Sequence, residues 1–479
     1  MALLPVITIQ HDFPEVIADI KNEVCLAEDI WISCYTLTSG ATTRSVHGKV
    51  RVTADTDAKQ SGRTLHDLPI SLQGRDGVEC EWAAHASYSQ LAIIVTCDSL
   101  SIPPTLVSFP SQALSGVQPN GVECMDLAGD WVVTGGKNGK LRADRWRPRA
   151  EPSTPDIGHE HRIGKGHLSD LTSCQFFPSG KVILTTSIDM SARIFFLDEE
   201  INSEGQPTKQ MMNARTLGPP HGRGLIGAGM LGKGKEIVTG CRDGKLRIWN
   251  VGSAKVEHEA EWPGAASDEL LALVVGEKRV LDPMGESLPS AESQGRFFLL
   301  LGLASGALQC VDLPSLEPIP WEPSAPANAD GPIEALAVSS SSDIIAYGTR
   351  TGTVCLASLH WRRASSCCSA SSSETAEDES RPGLAVTPLA TWKRTSAAIS
   401  SLAFADDDQA LLVATADGLP YLVSVAAQPR LLCELAGYDC EPLSSIRSSF
   451  LHNKIFAAGK DGHVFIWNRP PQSSSVSDP

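Results

Sequence analysis

The sequence predicts an all-β protein: seven repeats of one short-stranded unit, behind a smaller β-rich N-terminal region. Three observations carry this. Turn formers are abundant, with 40 Gly and 31 Pro in 479 residues, and long stretches with a 3.6-residue apolar period are few. A unit recurs: an apolar strand, a turn, a second apolar strand ending in small residues, a tight glycine turn, and a third apolar strand. The units return at a spacing of roughly 44 to 66 residues, longer where polar insertions intervene.

Residues 1–115 lack the repeat. Strands are expected over Val6 to Ile9, Asp29 to Tyr35, Lys49 to Thr53 and Leu91 to Thr96, as a small N-terminal domain. The segment around Thr105 to Phe109 is expected to supply the outer strand that closes the last repeat. Repeats then fill 116–469. The first keeps only the turn Gly135 to Gly139. The second runs Val182 to Phe196, after Gly166-His167 and Phe176-Phe177-Pro178-Ser179-Gly180. The clearest is Glu236-Ile-Val-Thr-Gly-Cys-Arg-Asp-Gly-Lys-Leu-Arg-Ile-Trp-Asn250. Weaker copies hold the turns Gly302 to Gly306, Gly348 to Gly352 and Ala414 to Gly418. The last, Lys454-Ile-Phe-Ala-Ala-Gly-Lys-Asp-Gly-His-Val-Phe-Ile-Trp-Asn468, matches the clearest. In both, Asp-Gly reads as a two-residue type I′ hairpin turn, with Trp six residues after the Asp.

A period near 40–45 residues with Gly-His, Asp and Trp in register resembles the WD40 repeat. Seven four-stranded blades would close a β-propeller, which protects its sheet edges by radial repetition. Composition shifts mark the insertions. Pro148 to Gly164 and Asp282 to Gly295 read as polar loops, 363–383 as a disordered serine-rich and acidic excursion, and 470–479 as a disordered tail.

Fifty-six acidic against 40 basic residues give a net charge of -16. That argues against nucleic acid or an anionic membrane as partner and favours a basic protein surface. Thirteen cysteines are scattered, with no C-x-x-C pair and no zinc spacing, which fits free thiols in a reducing compartment. Met1 to Ile9 is apolar but lacks a basic leader, and no apolar run nears the roughly 20 residues that span a bilayer. A cytoplasmic and nuclear protein is expected.

Gly227-Ala-Gly229-Met-Leu-Gly232-Lys233 imitates a phosphate loop. Gly234 stands where the magnesium hydroxyl belongs, and the next element is the strand Glu236 to Thr239, not a helix. His167, Asp189 and Ser187 suggest a catalytic triad, as do His221, Asp243 and Thr239. An active site is not duplicated blade by blade. The WD40 resemblance instead implies a buried hydrogen-bond network in each blade, built from His167 and Asp189, from His221, Asp243 and Trp249, and from Asp461 and Trp467. Phe195 would truncate the second network, since it has no N–H to donate. No catalytic constellation, cofactor site or metal site is expected.

Gly166-His-Leu-Ser-Asp-Leu-Thr-Ser-Cys-Gln-Phe-Phe-Pro-Ser-Gly180 with Ser187-Ile-Asp-Met190 resembles the second-blade motif of the proteasomal ATPase-associated factors. Ile9-Gln10-His11-Asp12-Phe13 is similar to the opening of their fungal members. Leu270 to Val275, an insertion and Phe297-Phe-Leu-Leu-Leu-Gly-Leu-Ala-Ser-Gly306 follow their mid-propeller layout. The degenerate fourth to sixth blades and the serine-rich insertion depart from it. The resemblance implies a monomeric chaperone, without cofactor or hydrolysis, that binds the C-terminal domains of proteasomal ATPase subunits while the base of the regulatory particle assembles. Acids at the rim just before the inner strands would meet a basic partner. Laying the repeats on one another gives Asp170, Asp268, Glu269 and Glu441. A generic scaffold in ribosome biogenesis is the alternative, and predicts basic patches. A ubiquitin-ligase receptor would show Trp-Asp-x-Arg, whereas the blade ends read Trp249-Asn250 and Trp467-Asn468.

Overall fold

A computed structural model describes residues 1–37, 43–54, 69–83, 91–147, 160–201, 207–262, 264–265, 267–278, 296–321, 328–362, 383–405 and 407–470. Of the expected excursions, 148–159, 282–295 and 363–382, and the tail from 471, lie outside the described residues; the end of the loop expected over Pro148 to Gly164 is instead the strand His161–Gly164, paired with Leu141–Arg145 as the outer strand of blade 1.

Seven β-sheet blades stand around one axis, their inner strands beginning at Val122, Leu171, Leu225, Leu270, Ile333, Ile399 and Leu443. Blade 3 is the plain case: Leu225–Leu231, Glu236–Cys241, Lys245–Asn250 and Lys255–Glu261 pair antiparallel in sequence order. Blade 4 shows three strands among the described residues, Leu270–Lys278, Arg296–Leu303 and Leu308–Leu313. Second strands are buried on both faces, as in Glu236–Cys241 and Ala410–Thr415, because a blade packs on each side of them. That is why they read as unbroken apolar runs rather than alternating ones.

Every inner strand carries a register shift at its second residue. The bulge leaves one residue unpaired and turns the strand. The seven skipped residues, Glu123, Thr172, Ile226, Leu271, Glu334, Ser400 and Ser444, all line one axial channel of about 260 Å³. A bulge repeated seven times converges on one axis only if the ring closes.

The expected type I′ turn is not what forms. Gly244 and Gly462 have φ of +84°, but Asp243 and Asp461 are not left-handed. Gly244 N donates to the Cys241 carbonyl (3.1 Å), and Asp243 Oδ1 accepts from Lys245 N (3.0 Å). Blade 7 repeats this with His463 N on Asp461 Oδ1 (3.0 Å). Capping the next N–H requires the aspartate in an ordinary turn position, so the loop is longer than two residues. In blade 2 Met190 takes the glycine's place at φ 69°.

The N-terminal region forms a sheet of Val6–Ile9, Ala27–Leu37, Thr43–Ala54 and Ile70–Arg75. The helix Phe13–Lys21, which strand patterning did not anticipate, buries Phe13, Val16, Ile17 and Ile20 against it. The expected closure by Thr105 to Phe109 is corrected. That segment belongs to Ile102–Ser108, which runs parallel to Leu431–Leu435 on blade 6, with Cys433 opposite Leu106. The closing strand is Gln112–Leu114, antiparallel to Val464–Asn468 of blade 7. Pro110 stands between the two and has no N–H for a ladder, so the chain breaks there and steps from blade 6 to blade 7. Ala2–Leu3 adds a parallel edge to Gly383–Lys393 of blade 5.

Candidate partner rim and blade networks

The residue before each inner strand defines a rim. In six blades its carbonyl accepts an N–H from that blade's turn: Asp170 from Ile188 (3.1 Å), Gly224 from Arg242 (3.2 Å), Glu269 from Ala304, Pro332 from Arg350 and Ala398 from Ala416 (each 2.9 Å), and Pro442 from Lys460 (2.8 Å). This register places Asp170 and Glu269 at the same step, with Asp268 and Glu441 one residue earlier. The four acids therefore share one face of the ring but differ in freedom. Asp170 Oδ1 accepts from Asn138 N (3.0 Å), tying blade 2 to the glycine turn of blade 1. Asp268 Oδ1 accepts from Ser305 N (3.0 Å), and its other oxygen takes the Ser305 hydroxyl. Glu269 and Glu441 are exposed. The rim also bears Leu168, 87% exposed, two residues before Asp170, and exposed Asp439 near Glu441. Both were absent from the sequence reading. Their loop positions between a blade end and an inner strand are the signal that would have found them.

Beneath the rim, blade 2 holds an Asp189–His167–Thr185 line. Asp189 Oδ2 lies 2.9 Å from His167 Nδ1, and His167 Nε2 lies 2.8 Å from Thr185 Oγ1. Ser191 N, the Ser191 hydroxyl and Leu168 N also donate to Asp189 (3.0, 2.7 and 2.9 Å). Burial works to raise the Asp189 pKa, but these donors outweigh it and hold it at about 2. Burial lowers His167, which favours the neutral ring. The line imitates a triad but is sealed: Thr185 is 0% exposed and donates onward to the Arg193 carbonyl (3.2 Å). No substrate reaches that hydroxyl.

Blade 3 adds the indole. Trp249 Nε1 donates to Thr239 Oγ1 (2.8 Å), which also meets His221 Nε2 (2.8 Å). Asp243 stays at its turn, and His221 Nδ1 is buried with no hydrogen-bond partner. Burial lowers the His221 pKa to about 4, with Arg247 adding to the effect. Blade 7 departs from the expected network. Asp461 only caps its turn, and Trp467 Nε1 donates to the Ala436 carbonyl (3.0 Å). Ala457 occupies the Thr239 position, so no hydroxyl is there to accept. Tyr438 fills the space instead, donating to the Ala457 carbonyl (2.7 Å) and stacking on Trp467.

The channel lining includes two acids, Glu123 and Glu334, beyond what the sequence reading anticipated. Each has its own cation, Lys460 and Arg350 respectively.

Strand topology and turns together define a seven-bladed β-propeller, and two of its blades carry the repeat signature of a known family. The family model for the WD domain, G-beta repeat, matches residues 158–195 and 229–250, which take in the outer strand His161–Gly164 of blade 1 and strands of blades 2 and 3. The propeller domain of Cps50 (Swd1) from Myceliophteria thermophila superposes with a TM-score of 0.53 at 14% identity, over 75% of this chain and 99% of that one, a likeness of fold alone. Periodic tryptophan protein 2 of Saccharomyces cerevisiae is 30% identical over 104 residues, 20% of this chain and 10% of that protein. The chain thus spans about a tenth of the curated relative it matches.

Proposed function

We propose that this chain is a non-catalytic assembly scaffold that binds the C-terminal domains of proteasomal ATPase subunits through the rim that carries the glycine turns. The observation that carries the reading is the disposition of the block Gly166 to Gly180. It builds the rim and inner strand of blade 2 and holds Leu168 bare to solvent on the face that also carries Glu269 and Glu441. A solvated aliphatic on the same face of the ring as exposed acids suits a basic partner with an apolar contact point, and the net charge of -16 supports the same polarity. Cytoplasmic and nuclear residence follows from the reading.

The test is a titration of the purified chain against each isolated ATPase C-terminal domain, at low and physiological salt. Saturable, salt-sensitive binding to one or two domains is expected. Reversing Glu269→Lys with Glu441→Lys should slow association about ten-fold at low salt and flatten the salt dependence. Leu168→Ala should raise the dissociation rate. Absence of binding to every domain would overturn the proteasomal assignment.

A further inference from the structure

Blade 3 differs from blade 2 at two positions of the same network. Pairing of the inner and second strands puts Cys241 where blade 2 has Ser187. Lys245 follows the turn where blade 2 has Ser191, whose hydroxyl touches both Asp189 and His167 Nδ1. Without that hydroxyl, and with no hydrogen bond from Asp243 to match the one Asp189 makes to His167, His221 Nδ1 has no partner among the described residues, although the residue is only 4% exposed. The ring is not loose, since Thr239 fixes Nε2 at 2.8 Å and Trp249 fixes Thr239. Ligand atoms of His221, Cys241 and Asp243 lie within 4.8 Å of one another. Gly222 keeps the approach open: a Cβ there would stand 3.0 Å from Asp243 Oδ2.

We propose that His221, Cys241 and Asp243 bind one divalent cation of the zinc class at the rim edge of blade 3. With Nε2–H donating to Thr239, Nδ1 presents its lone pair. Imidazole, thiolate and carboxylate are a zinc donor set, three protein ligands leaving a fourth position to water. Zinc–sulfur and zinc–nitrogen bonds of about 2.3 and 2.0 Å at a tetrahedral angle put ligand atoms about 3.5 Å apart. The cluster must therefore contract by about an ångström, which the half-exposed turn carrying Asp243 allows. The Cys241 thiol now donates to the Arg223 carbonyl (3.0 Å), and on coordination its proton passes to solvent. Arg247 does not occupy the site: it holds Glu259 (2.5 Å) and the Pro219 and Pro220 carbonyls (3.0 Å each). The thiol and imidazole fix the metal in the wall of the blade, so occupancy would stiffen the rim between Asp170 and Glu269.

Cobalt(II), a spectroscopic stand-in for zinc, tests this on the full chain with its thiols kept reduced. One equivalent should saturate, with a near-ultraviolet thiolate-to-cobalt charge-transfer band that added zinc removes. Cys241→Ser should abolish the band; blade 2 carries Ser187 there, so this variant should keep its far-ultraviolet circular dichroism. His221→Gln and Asp243→Asn should each weaken binding at least ten-fold. The proposal is overturned if the wild-type chain shows no saturable equivalent. It is equally overturned if the band survives in Cys241→Ser, or if the other two variants bind like wild type.

Discussion

At the residue scale, three blades solve the same slot with different chemistry. Blade 3 places an indole N–H and an imidazole on the one hydroxyl of Thr239. Blade 2 has Phe195 and sends Thr185 to a carbonyl. Blade 7 has Ala457 and fills the space with Tyr438. Thr239→Val keeps the shape but leaves the Trp249 N–H and His221 Nε2 buried and unpaired. At about 1–3 kcal/mol per orphaned group, it should cost about 2–6 kcal/mol. Chemical denaturation measures this, and a loss under half a kilocalorie would remove Thr239 as the hub. Asp189 gives a pH dependence. Its folded pKa lies below the usual 3.8, at about 2, so the stability it contributes is present above pH 3.8 and is lost as pH falls toward 2. Asp189→Asn should melt lower than wild type near neutrality. Its melting temperature should also change less between pH 4 and 2, and parallel curves over that window would contradict the assignment.

At the element scale, the N-terminal region is fastened to the ring by a buried charge pair. Arg394, after the outer strand of blade 5, meets Glu434 in the outer strand of blade 6, and each side chain is 4% exposed. Glu434 also accepts from Ile7 N (2.9 Å), and Arg394 Nε donates to the Pro5 carbonyl (2.9 Å). Arg394 covers the Tyr421 ring at 4.1 Å, and Trp392 donates to the Tyr421 hydroxyl (2.9 Å). Glu434→Ala would strand the guanidinium and should cost about 3–5 kcal/mol. Replacing both partners by apolar residues should recover much of that, as read by melting temperature. Without such recovery, the loss in the single variant would not come from an unpaired charge. None of this was legible in the sequence, because Ile7, Arg394 and Glu434 meet across 427 and 40 residues with no local pattern to announce them. The blades were legible for the opposite reason. Their turns and doubly buried second strands are local, so Asp243, Gly244 and Trp249 recur in register in blade 7. The rim was half legible. Register put Asp170, Asp268, Glu269 and Glu441 on one rim, but not that Asp170 and Asp268 are engaged with nearby turns while Glu269 and Glu441 are exposed. Spacing shows which loop a residue occupies, not which backbone N–H waits beside it.

At the scale of the whole molecule, the ring depends on a strand from outside its own repeats. Gln112–Leu114 completes blade 7, with Val464 opposite Leu114 and the Ile466 carbonyl taking Ser111 N (2.7 Å). Trp146 of blade 1 reaches the same strand, donating to Gln112 Oε1 (2.8 Å). Closure therefore joins the first and last blades, and an open ring would bare two sheet edges at once. A chain starting at 116 keeps all seven inner strands yet loses this strand. It should fail to fold cooperatively and should associate through the exposed edge of Val464–Asn468. A chain starting at 110 keeps the closing strand but loses the N-terminal sheet and the partners Ile7 and Pro5. It should keep a cooperative transition but melt well below the full chain, because its ring is shut while Glu434, Arg394 and the edge of Leu431–Leu435 face water. Light scattering and a single sharp calorimetric transition separate the two. If the 116 chain melts like the full one, the ring closes without its N-terminal strand, and the region 1–115 is a passenger rather than the clasp.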